Sequence, residues 1–309
     1  MKALFCGAGS IGKRHIRNLI TITGERGNDL ELQLLRSSDR PLDEDIQSHV
    51  SKVAHSYDEL DDHYDAVFIT NPTYLHYETM QKTKDIADHF FVEKPTFDKN
   101  DIDISEFTEN KDKIYYVACP LRHTKVLKRA KEIVDESKVL SVRSISSSYL
   151  PDWRPGTDYR KTYSAHKAEG GGVKIDLIHE WDYLTHLFGF PNKVFELDGT
   201  YSELEIDSED YAVYIADYKS RIVELHLDYF GRNVRRSCEV MTPDDLYIFD
   251  IAGSRIIKNN ETIESYEEQP NDKYIEEMKY FLRLMHGEID NINSLEHSIK
   301  VMKLTEGII

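Results

Sequence analysis

The chain has 309 residues, and its 39 Lys and Arg against 56 Asp and Glu give a formal net charge of −17. The length favours two domains, and the negative excess repels nucleic acid and anionic membranes, so we expect neither as a partner. The three scattered cysteines predict no metal site, and without a signal-peptide pattern or membrane-length apolar run we expect a cytoplasmic protein.

The first third of the chain alternates short apolar runs with helix-like segments. This alternation is typical of an α/β domain built on a parallel sheet. We place the domain at residues 1–120, with strands predicted at residues 2–6, 31–35, 65–70 and 90–93.

A glycine-rich turn, Gly7-Ala8-Gly9-Ser10-Ile11-Gly12, follows the first strand and precedes an amphipathic helix. Gly7 permits a tight turn, Gly9 lets a pyrophosphate approach the backbone, and Gly12 allows close packing of helix and strand. The N–H groups around Ser10 and Ile11 then face the phosphates. The turn therefore predicts dinucleotide binding by a Rossmann domain.

The second strand ends in Arg36-Ser37-Ser38, where an acidic residue would hold an unmodified adenosine ribose. Arg36 and Ser37 suit a 2′-phosphate, so we expect NAD(P) with a preference for NADP. Asp39 weakens this inference, and Arg36 as a surface charge or a partner of adenine is the alternative.

The remainder of the chain, residues 121–309, contains long stretches with an alternation of period two. Such stretches predict a largely antiparallel, open-faced sheet, and helices at residues 125–135 and 271–285 complete an α+β domain. The predicted strands are residues 140–149, 194–197, 211–217, 223–229, 237–241 and 246–250.

Two further segments come at carboxyl ends of strands in the first domain, where open α/β sheets bind ligands. They are Asn71-Pro72-Thr73 with His76, and Glu93-Lys94-Pro95. Together with the glycine-rich turn, and with Gly170-Gly171-Gly172 followed by Asp176, His179 and Asp182, they resemble the Gfo/Idh/MocA oxidoreductase family over essentially the whole chain.

The resemblance implies that Lys94 reaches the reacting hydroxyl and the nicotinamide. In that family the peptide bond that corresponds to Lys94–Pro95 is often cis. A cation there would stabilise a developing alkoxide. The resemblance also assigns cofactor contacts to these residues: Asn71, Pro72, His76, Glu93 and Lys94.

A helix predicted over residues 175–188 places Asp176, His179 and Tyr183 on one face. A histidine beside a carboxylate is suited to act as a general base, and the resemblance gives this role to His179. Many members of the family separate this Asp and His by three residues rather than two. Either Asp176 or Asp182 would therefore support His179.

Basic and aromatic residues flank the proposed site. Arginine recognises carboxylates and phosphates, and aromatic faces stack on sugar rings, so an anionic sugar derivative is expected. The alternative is ion pairing with Asp152, Asp158 and Glu169. Arg232, Arg235 and Arg236 either extend the anion site or lie at a subunit contact. The predicted substrate residues are Arg122, His123, Trp153, Arg154, Tyr159, Arg160 and Tyr163, together with Asp176 and His179.

These residues predict an NAD(P)-dependent oxidoreductase that transfers hydride between the nicotinamide and a CH–OH carbon of a sugar-like, anionic substrate. The loop at residues 153–163 resembles a subgroup associated with surface-polysaccharide and acidic-sugar biosynthesis. Epimerisation with a retained cofactor stays open, and a non-catalytic dinucleotide-binding sensor or partner protein is the alternative. By resemblance we expect a homodimer or homotetramer.

Overall fold

The computed structural model describes residues 1–27 and 29–309 of the chain. They form two compact units, one of residues 1–120 and 271–299 and the other of residues 121–270 and 300–309. In the described part of the chain, no helix combines the length and apolar character needed to cross a membrane.

The first unit is built on a parallel sheet with the strand order β3-β2-β1-β4-β5-β6. Helices connect most of the successive strands, as is usual for parallel pairing. Its elements up to residue 120 are β1 (Lys2–Cys6), α1 (Ser10–Glu25), β2 (Glu31–Leu35), α2 (Glu44–Gln47), β3 (Val50–Ala54), β4 (Ala66–Ile69), α3 (His76–Thr83), β5 (His89–Val92), α4 (Ser105–Thr108) and β6 (Ile114–Val117).

Two strands of this sheet, β3 and β6, were not predicted from the sequence. Each forms one edge of the sheet. β6 is a run of only four residues, Ile-Tyr-Tyr-Val, with three of them buried, whereas β3 contains Ser51 and Lys52 and fully buries only Ala54. Its pattern is therefore close to that of a loop.

The second unit contains a sheet with the strand order β14-β13-β12-β11-β7-β10-β9-β8, antiparallel except for the β7–β10 pair. The predicted fold class is confirmed. The elements are α5 (Lys125–Ile133), β7 (Ser141–Tyr149), α6 (Val173–Asp176), α7 (His179–Phe188), β8 (Lys193–Gly199), β9 (Tyr211–Asp217), β10 (Ile222–Asp228), β11 (Phe230–Met241), β12 (Leu246–Asp250), β13 (Arg255–Lys258) and β14 (Glu261–Ser265).

The hairpin of β13 and β14 was also missed. Asn259 and Asn260 connect its strands with φ angles of 50° and 71°. Two consecutive positive φ values are the signature of a tight hairpin turn, for which asparagine is well suited. The Asn-Asn pair was therefore the sequence signal for this hairpin.

The chain ends with α8 (Asp272–Met285) and α9 (Leu295–Leu304). Sequence analysis placed residues 271–299 in the second domain, whereas the structure places them in the first unit. The reason is the apolar face of α8. Phe281 packs edge-on against Phe68 and Phe91 at ring distances of 5.5 and 5.3 Å, and Met278 is fully buried in the same core.

The helix predicted over residues 175–188 is interrupted. α6 ends at Asp176 and α7 begins at His179, because Leu177 (φ −99°, ψ 23°) leaves the helical conformation. Leu177 and Ile178 are both buried, so packing overrides the helical pattern here. Asp176 and His179 consequently do not share a face of one continuous helix, as the sequence had predicted.

Candidate functional site

The glycine-rich turn lies at the carboxyl end of β1 and leads into α1. Gly7 has a φ of +103°, and a Cβ on Gly12 would lie 2.7 Å from the Gly7 carbonyl oxygen, so both positions require glycine. A Cβ on Gly9 would meet no atom within 4 Å. The backbone of Gly9 is therefore open to a ligand.

The amino end of α1 suits an anion. Gly9 precedes the helix and provides no side-chain cap, and the first turn, which includes Ser10 and Ile11, has no acidic residue. The first N–H groups of a helix have no partner within it, and they attract negative charge. These features fit a dinucleotide pyrophosphate, as the spacing of the glycines predicts.

Arg36 and Ser37 come directly after β2, and the preceding Leu35 accepts a hydrogen bond from the Gly7 N–H at 2.9 Å. The predicted pair therefore lies beside the glycine-rich turn. The Arg36 guanidinium donates to the Arg40 carbonyl, and Ser37 is exposed. Asp39 is also exposed, with His55 at 3.7 Å.

Asn71, Pro72 and His76 follow β4. His76 is only 1% exposed, and its ring nitrogens lie 3.0 Å from the Thr96 carbonyl oxygen and 2.9 Å from that of Asn71. Burial lowers the pKa of His76 although the neighbouring carbonyls oppose this shift. A neutral imidazole carries one N–H, so the ring donates to one of the two carbonyls and packs against the other. Both polar atoms of the ring thus contact the protein backbone, which leaves His76 poorly placed for the cofactor contact predicted from the sequence.

Glu93, Lys94 and Pro95 follow β5, and the Lys94–Pro95 peptide bond is cis. Glu93 Oε1 lies 2.5 Å from Nε2 of His15, a fully buried residue of α1, and Oε2 accepts from the Lys94 N–H at 3.1 Å. Burial raises the pKa of Glu93, but the hydrogen bonds and charges of His15 and Lys94 together outweigh burial and lower the pKa. His15 was not predicted as a site residue, because in the sequence it is only a histidine in an otherwise amphipathic helix.

In the second unit, the triple glycine positions the segment that carries Asp176. A Cβ on Gly171 would lie 2.0 Å from the Tyr163 carbonyl oxygen, so this glycine packs directly against the predicted substrate loop. Asp176 is 6% exposed and accepts a hydrogen bond of 2.6 Å from the Tyr229 hydroxyl. Burial and the Asp176 charge raise the pKa values of both Tyr229 and Tyr163.

Tyr229 was missed as a site residue. Tyr229 comes directly after β10 and continues the alternation of the buried residues Val223, Leu225 and Leu227. The sequence therefore indicates only a core position. Its hydroxyl is nevertheless the feature that connects this core to Asp176.

Asp182, the second acid considered for His179, forms a buried bidentate ion pair with Arg122. Its carboxylate accepts from the guanidinium at 2.7 and 2.8 Å, and the Arg122 side chain is fully buried. Arg122 therefore neutralises a carboxylate of its own unit. His123 is also buried, at 3% exposure, while His179 is half-buried.

The remaining predicted substrate residues lie in the loop that follows β7, where their environments differ. Trp153 packs edge-on against Tyr229 at 5.2 Å, and the Arg154 guanidinium lies over the Tyr163 ring at 5.3 Å. The structure thus gathers Trp153, Arg154, Tyr163 and Asp176 around Tyr229.

Tyr159 lines a small cavity together with Trp153 and Arg154, whereas Arg160 lies at the protein surface. Arg160 is exposed and pairs with Asp158 at 2.9 Å and Glu205 at 2.6 Å, as the surface alternative predicts for Asp158. The Tyr159 hydroxyl accepts from the Glu205 N–H at 3.2 Å. By contrast, among residues 1–27 and 29–309 no carboxylate lies within ion-pair distance of Arg154.

The three arginines of β11 have separate environments. Arg232 lies over the Tyr149 ring at 3.9 Å, Arg235 pairs with Glu239 at 2.8 Å, and Arg236 lies 2.8 Å from fully buried Glu180. Burial raises the pKa of Glu180. Neither Arg235 nor Arg236 offers an uncompensated charge.

Comparison with family models gives a match to each unit. Residues 1–118 match the model described as "Oxidoreductase family, NAD-binding Rossmann fold", and residues 127–242 match the "GFO/IDH/MocA C-terminal domain". An uncharacterised oxidoreductase of Bacillus subtilis (strain 168), YrbE, is 25% identical over 190 residues, or 59% of this chain. The match spans about half (52%) of that relative's length.

Solved structures with the same fold cover nearly all of the chain. Levoglucosan dehydrogenase in complex with NADH has a TM-score of 0.82 at 15% identity, covering 100% of this chain and 95% of that one. Myo-inositol 2-dehydrogenase from Lactobacillus plantarum scores 0.78 at 18% identity, covering 99% and 95%. The WlbA dehydrogenase from Bordetella pertussis, in complex with NADH and UDP-GlcNAcA, scores 0.77 at 16% identity, covering 100% and 95%.

Proposed function

The chain belongs to the Gfo/Idh/MocA family of NAD-binding oxidoreductases, and from this premise we propose that it transfers hydride between a nicotinamide dinucleotide and a hydroxyl-bearing carbon of an anionic sugar derivative. The observation that carries the proposal is the open backbone of Gly9 at an uncapped, acid-free helix start. A binding site for a pyrophosphate needs this combination.

The bound nicotinamide would supply the hydride chemistry, and the protein would supply binding, orientation and proton transfer. Gly7, Gly9 and Gly12 would hold the pyrophosphate. The Lys94 ammonium would donate to the reacting oxygen and stabilise its negative charge as the hydroxyl proton leaves.

His179 would take or return that proton. A neutral imidazole accepts a proton near neutral pH, and it returns the proton when the reaction runs in the opposite direction. We assign Asp176 to orient the reacting hydroxyl and His179, because the Asp182 carboxylate is already occupied by Arg122. The Tyr229 hydroxyl fixes the Asp176 carboxylate.

The substrate class follows from Arg154. In a chain of net charge −17 it is a cation with no carboxylate within ion-pair distance in the described structure, and it lies beside aromatic rings. Such a guanidinium recognises a carboxylate or phosphate, and the rings of Trp153 and Tyr163 suit a sugar. A sugar acid or nucleotide-activated sugar meets both requirements.

Arg36 and Ser37 support a preference for NADP. They follow β2 beside the glycine-rich turn, where a Rossmann domain holds the adenosine ribose. An arginine with a neighbouring hydroxyl favours the 2′-phosphate there.

We also propose that the protein forms a homodimer or homotetramer. The face of the second sheet opposite its helices exposes Phe195, Leu197 and Ile215, at 64%, 58% and 41%. Large apolar side chains in adjacent strands make a self-complementary contact favourable. Light scattering on the purified protein measures the assembly directly.

A substrate screen tests the proposed reaction. Purified protein is incubated with NAD or NADP and a panel of neutral polyols, sugar acids and nucleotide sugars, and the absorbance of the reduced nicotinamide is followed. We expect turnover of an anionic member of the panel. Efficient turnover of a neutral polyol alone would contradict the assignment of substrate charge, and dinucleotide binding without any turnover would favour a sensor.

A further inference from the structure

Lys94, the residue that the proposed function places at the reacting oxygen, lies between two anchored positions of its own chain. On one side, Glu93 Oε1 contacts His15 Nε2 at 2.5 Å, and Glu93 Oε2 accepts from the Lys94 N–H at 3.1 Å. One carboxylate therefore joins a buried histidine to the Lys94 backbone.

His15 belongs to α1, the helix that begins at the glycine-rich turn. Its side chain is fully buried, with the Phe91 ring at 4.8 Å and the Tyr274 ring at 6.1 Å. In this packing the imidazole Nε2 points toward Glu93. The contact thus connects the pyrophosphate-binding helix to the Lys94 segment.

On the other side of Lys94, the Thr96 carbonyl contacts His76 Nδ1 at 3.0 Å. The second ring nitrogen of His76 contacts the Asn71 carbonyl at 2.9 Å. The Asn71 backbone in turn packs on the glycine-rich turn, since a Cβ on Gly7 would lie 2.7 Å from Asn71 Cα. His76 thus bridges the loops that follow β4 and β5.

We propose that His15 and His76 are positioning residues that set the location of the Lys94 ammonium relative to the dinucleotide-binding turn. The inference rests on the proposed function for the role of Lys94. Neither histidine needs to touch substrate or cofactor. Each joins the Lys94 segment to an element that contacts the glycine-rich turn, one through α1 and the other through Asn71.

The physical need for such anchors comes from the lysine side chain. Its ammonium lies at the end of a flexible four-carbon stem, so only a fixed backbone gives it a defined position. A displacement of about 1 Å at a reacting group can cost about 100-fold in rate. Two anchors on opposite sides of one residue restrict both translation and rotation of its backbone.

The test replaces each histidine and reads the state of Lys94 itself. His15→Leu and His76→Leu remove the hydrogen bonds, whereas His15→Gln keeps an N–H donor within reach of Glu93. His89→Leu is the matched control, because His89 contacts the Asp65 carbonyl at 2.9 Å from the opposite end of the same strand, β5. Trace acetylation with acetic anhydride across a pH series, quantified by mass spectrometry, gives the reactivity and pKa of the Lys94 amine.

We expect His15→Leu and His76→Leu to change Lys94 acetylation several-fold, His15→Gln to restore it, and His89→Leu to leave it unchanged. With a substrate from the screen, kcat should fall about 10- to 100-fold while the Kd for NADH changes far less. Unchanged Lys94 reactivity in both leucine variants would overturn the proposal.

Folding and cofactor binding are checked separately by circular dichroism and by NADH fluorescence. If a leucine variant does not fold, the isosteric Glu93→Gln, which weakens the contact to His15, takes its place and should shift Lys94 reactivity in the same direction. An unshifted Lys94 in folded Glu93→Gln would then contradict the role of His15. Failure of the wild-type protein to bind NADH would instead contradict the proposed function. The acetylation of Lys94 would still report on the two histidines, because it is measured without NADH.

Discussion

The two units differ in how far their charged residues are already satisfied by the protein. In the first unit, the predicted segments follow parallel strands at one end of the sheet, and short contacts such as His15–Glu93 hold them. In the second unit, Arg122 and Arg160 are neutralised internally, whereas Arg154 has no carboxylate within ion-pair distance in the described part of the chain. A sequence motif thus predicts where in the fold a charged residue lies. Whether its charge is available for a ligand depends on ion-pair partners that are remote in sequence.

The largest expected effect is a loss of stability in Arg122→Leu, which distinguishes a structural role of Arg122 from substrate binding. Arg122→Leu leaves the Asp182 carboxylate buried without its partner, which typically costs about 3–5 kcal/mol of stability. We expect a lower urea midpoint for Arg122→Leu, and for Arg154→Ala a change within about 0.5 kcal/mol, as for ordinary surface substitutions. An unaltered midpoint in Arg122→Leu, together with a raised KM, would return Arg122 to the substrate site.

The next effect concerns the two proposed catalytic groups, Lys94 and His179. Lys94→Ala and His179→Ala should each lower kcat by about 100-fold or more, because general acid–base groups contribute about that much. The Kd for the cofactor should hardly change. Normal turnover in a folded, cofactor-binding variant would show that the assigned role is wrong, and Asp176→Asn against Asp182→Asn would compare the two acids.

The difference between Arg154 and Arg160, both in the loop at residues 153–163, gives a smaller, more specific prediction. Arg154→Ala should lower kcat/KM for an anionic substrate by about 10- to 100-fold, since a hydrogen bond to a charged group contributes roughly 1.5–3 kcal/mol. Arg160→Ala is the matched control on the same loop and should have little effect, because its guanidinium is paired with Asp158 and Glu205. Equal losses in both variants would remove the distinction between the two arginines.

Much of the first unit could be predicted because short sequence segments contain both the residues for ligand binding and the pattern that determines the local fold. The bounds of β1 and β2 match the predicted strands, and the turn from Gly7 to Gly12 has the expected shape. Parallel strands with helical connections bring their carboxyl ends to one edge. Segments far apart in sequence, such as those at Asn71 and Lys94, could therefore be assigned to one region.

The second unit was less predictable for a physical reason. Asp182 lies 60 residues from Arg122, and Glu205 lies 45 from Arg160. Pairing over such distances depends on the tertiary fold, and no local pattern encodes it. The interruption at Leu177 has the same origin, because tertiary packing decides the conformation there.

The smallest effect is the cofactor preference. Arg36→Ala should reduce a preference for NADPH over NADH by about 2- to 5-fold, as expected for an exposed ionic contact of up to about 1 kcal/mol. Fluorescence titration of both reduced forms measures the ratio of Kd values. Equal affinities in the wild-type protein, unchanged in Arg36→Ala, would show that Arg36 does not read the 2′-phosphate.

Dinucleotide binding at the glycine-rich turn is the central claim, and titration of a charge-matched pair of variants with NADH and NADPH tests it most directly. A side chain at Gly9 meets no protein atom within 4 Å, so Gly9→Asp should fold while its carboxylate repels the pyrophosphate. Gly24→Asp puts the same charge near the far end of α1, also in open space. We predict saturable binding by the wild-type protein and Gly24→Asp and at least a tenfold weaker affinity, about 1.4 kcal/mol, for Gly9→Asp. Absence of binding by the wild-type protein, or equal affinity in folded Gly9→Asp, would contradict the claim.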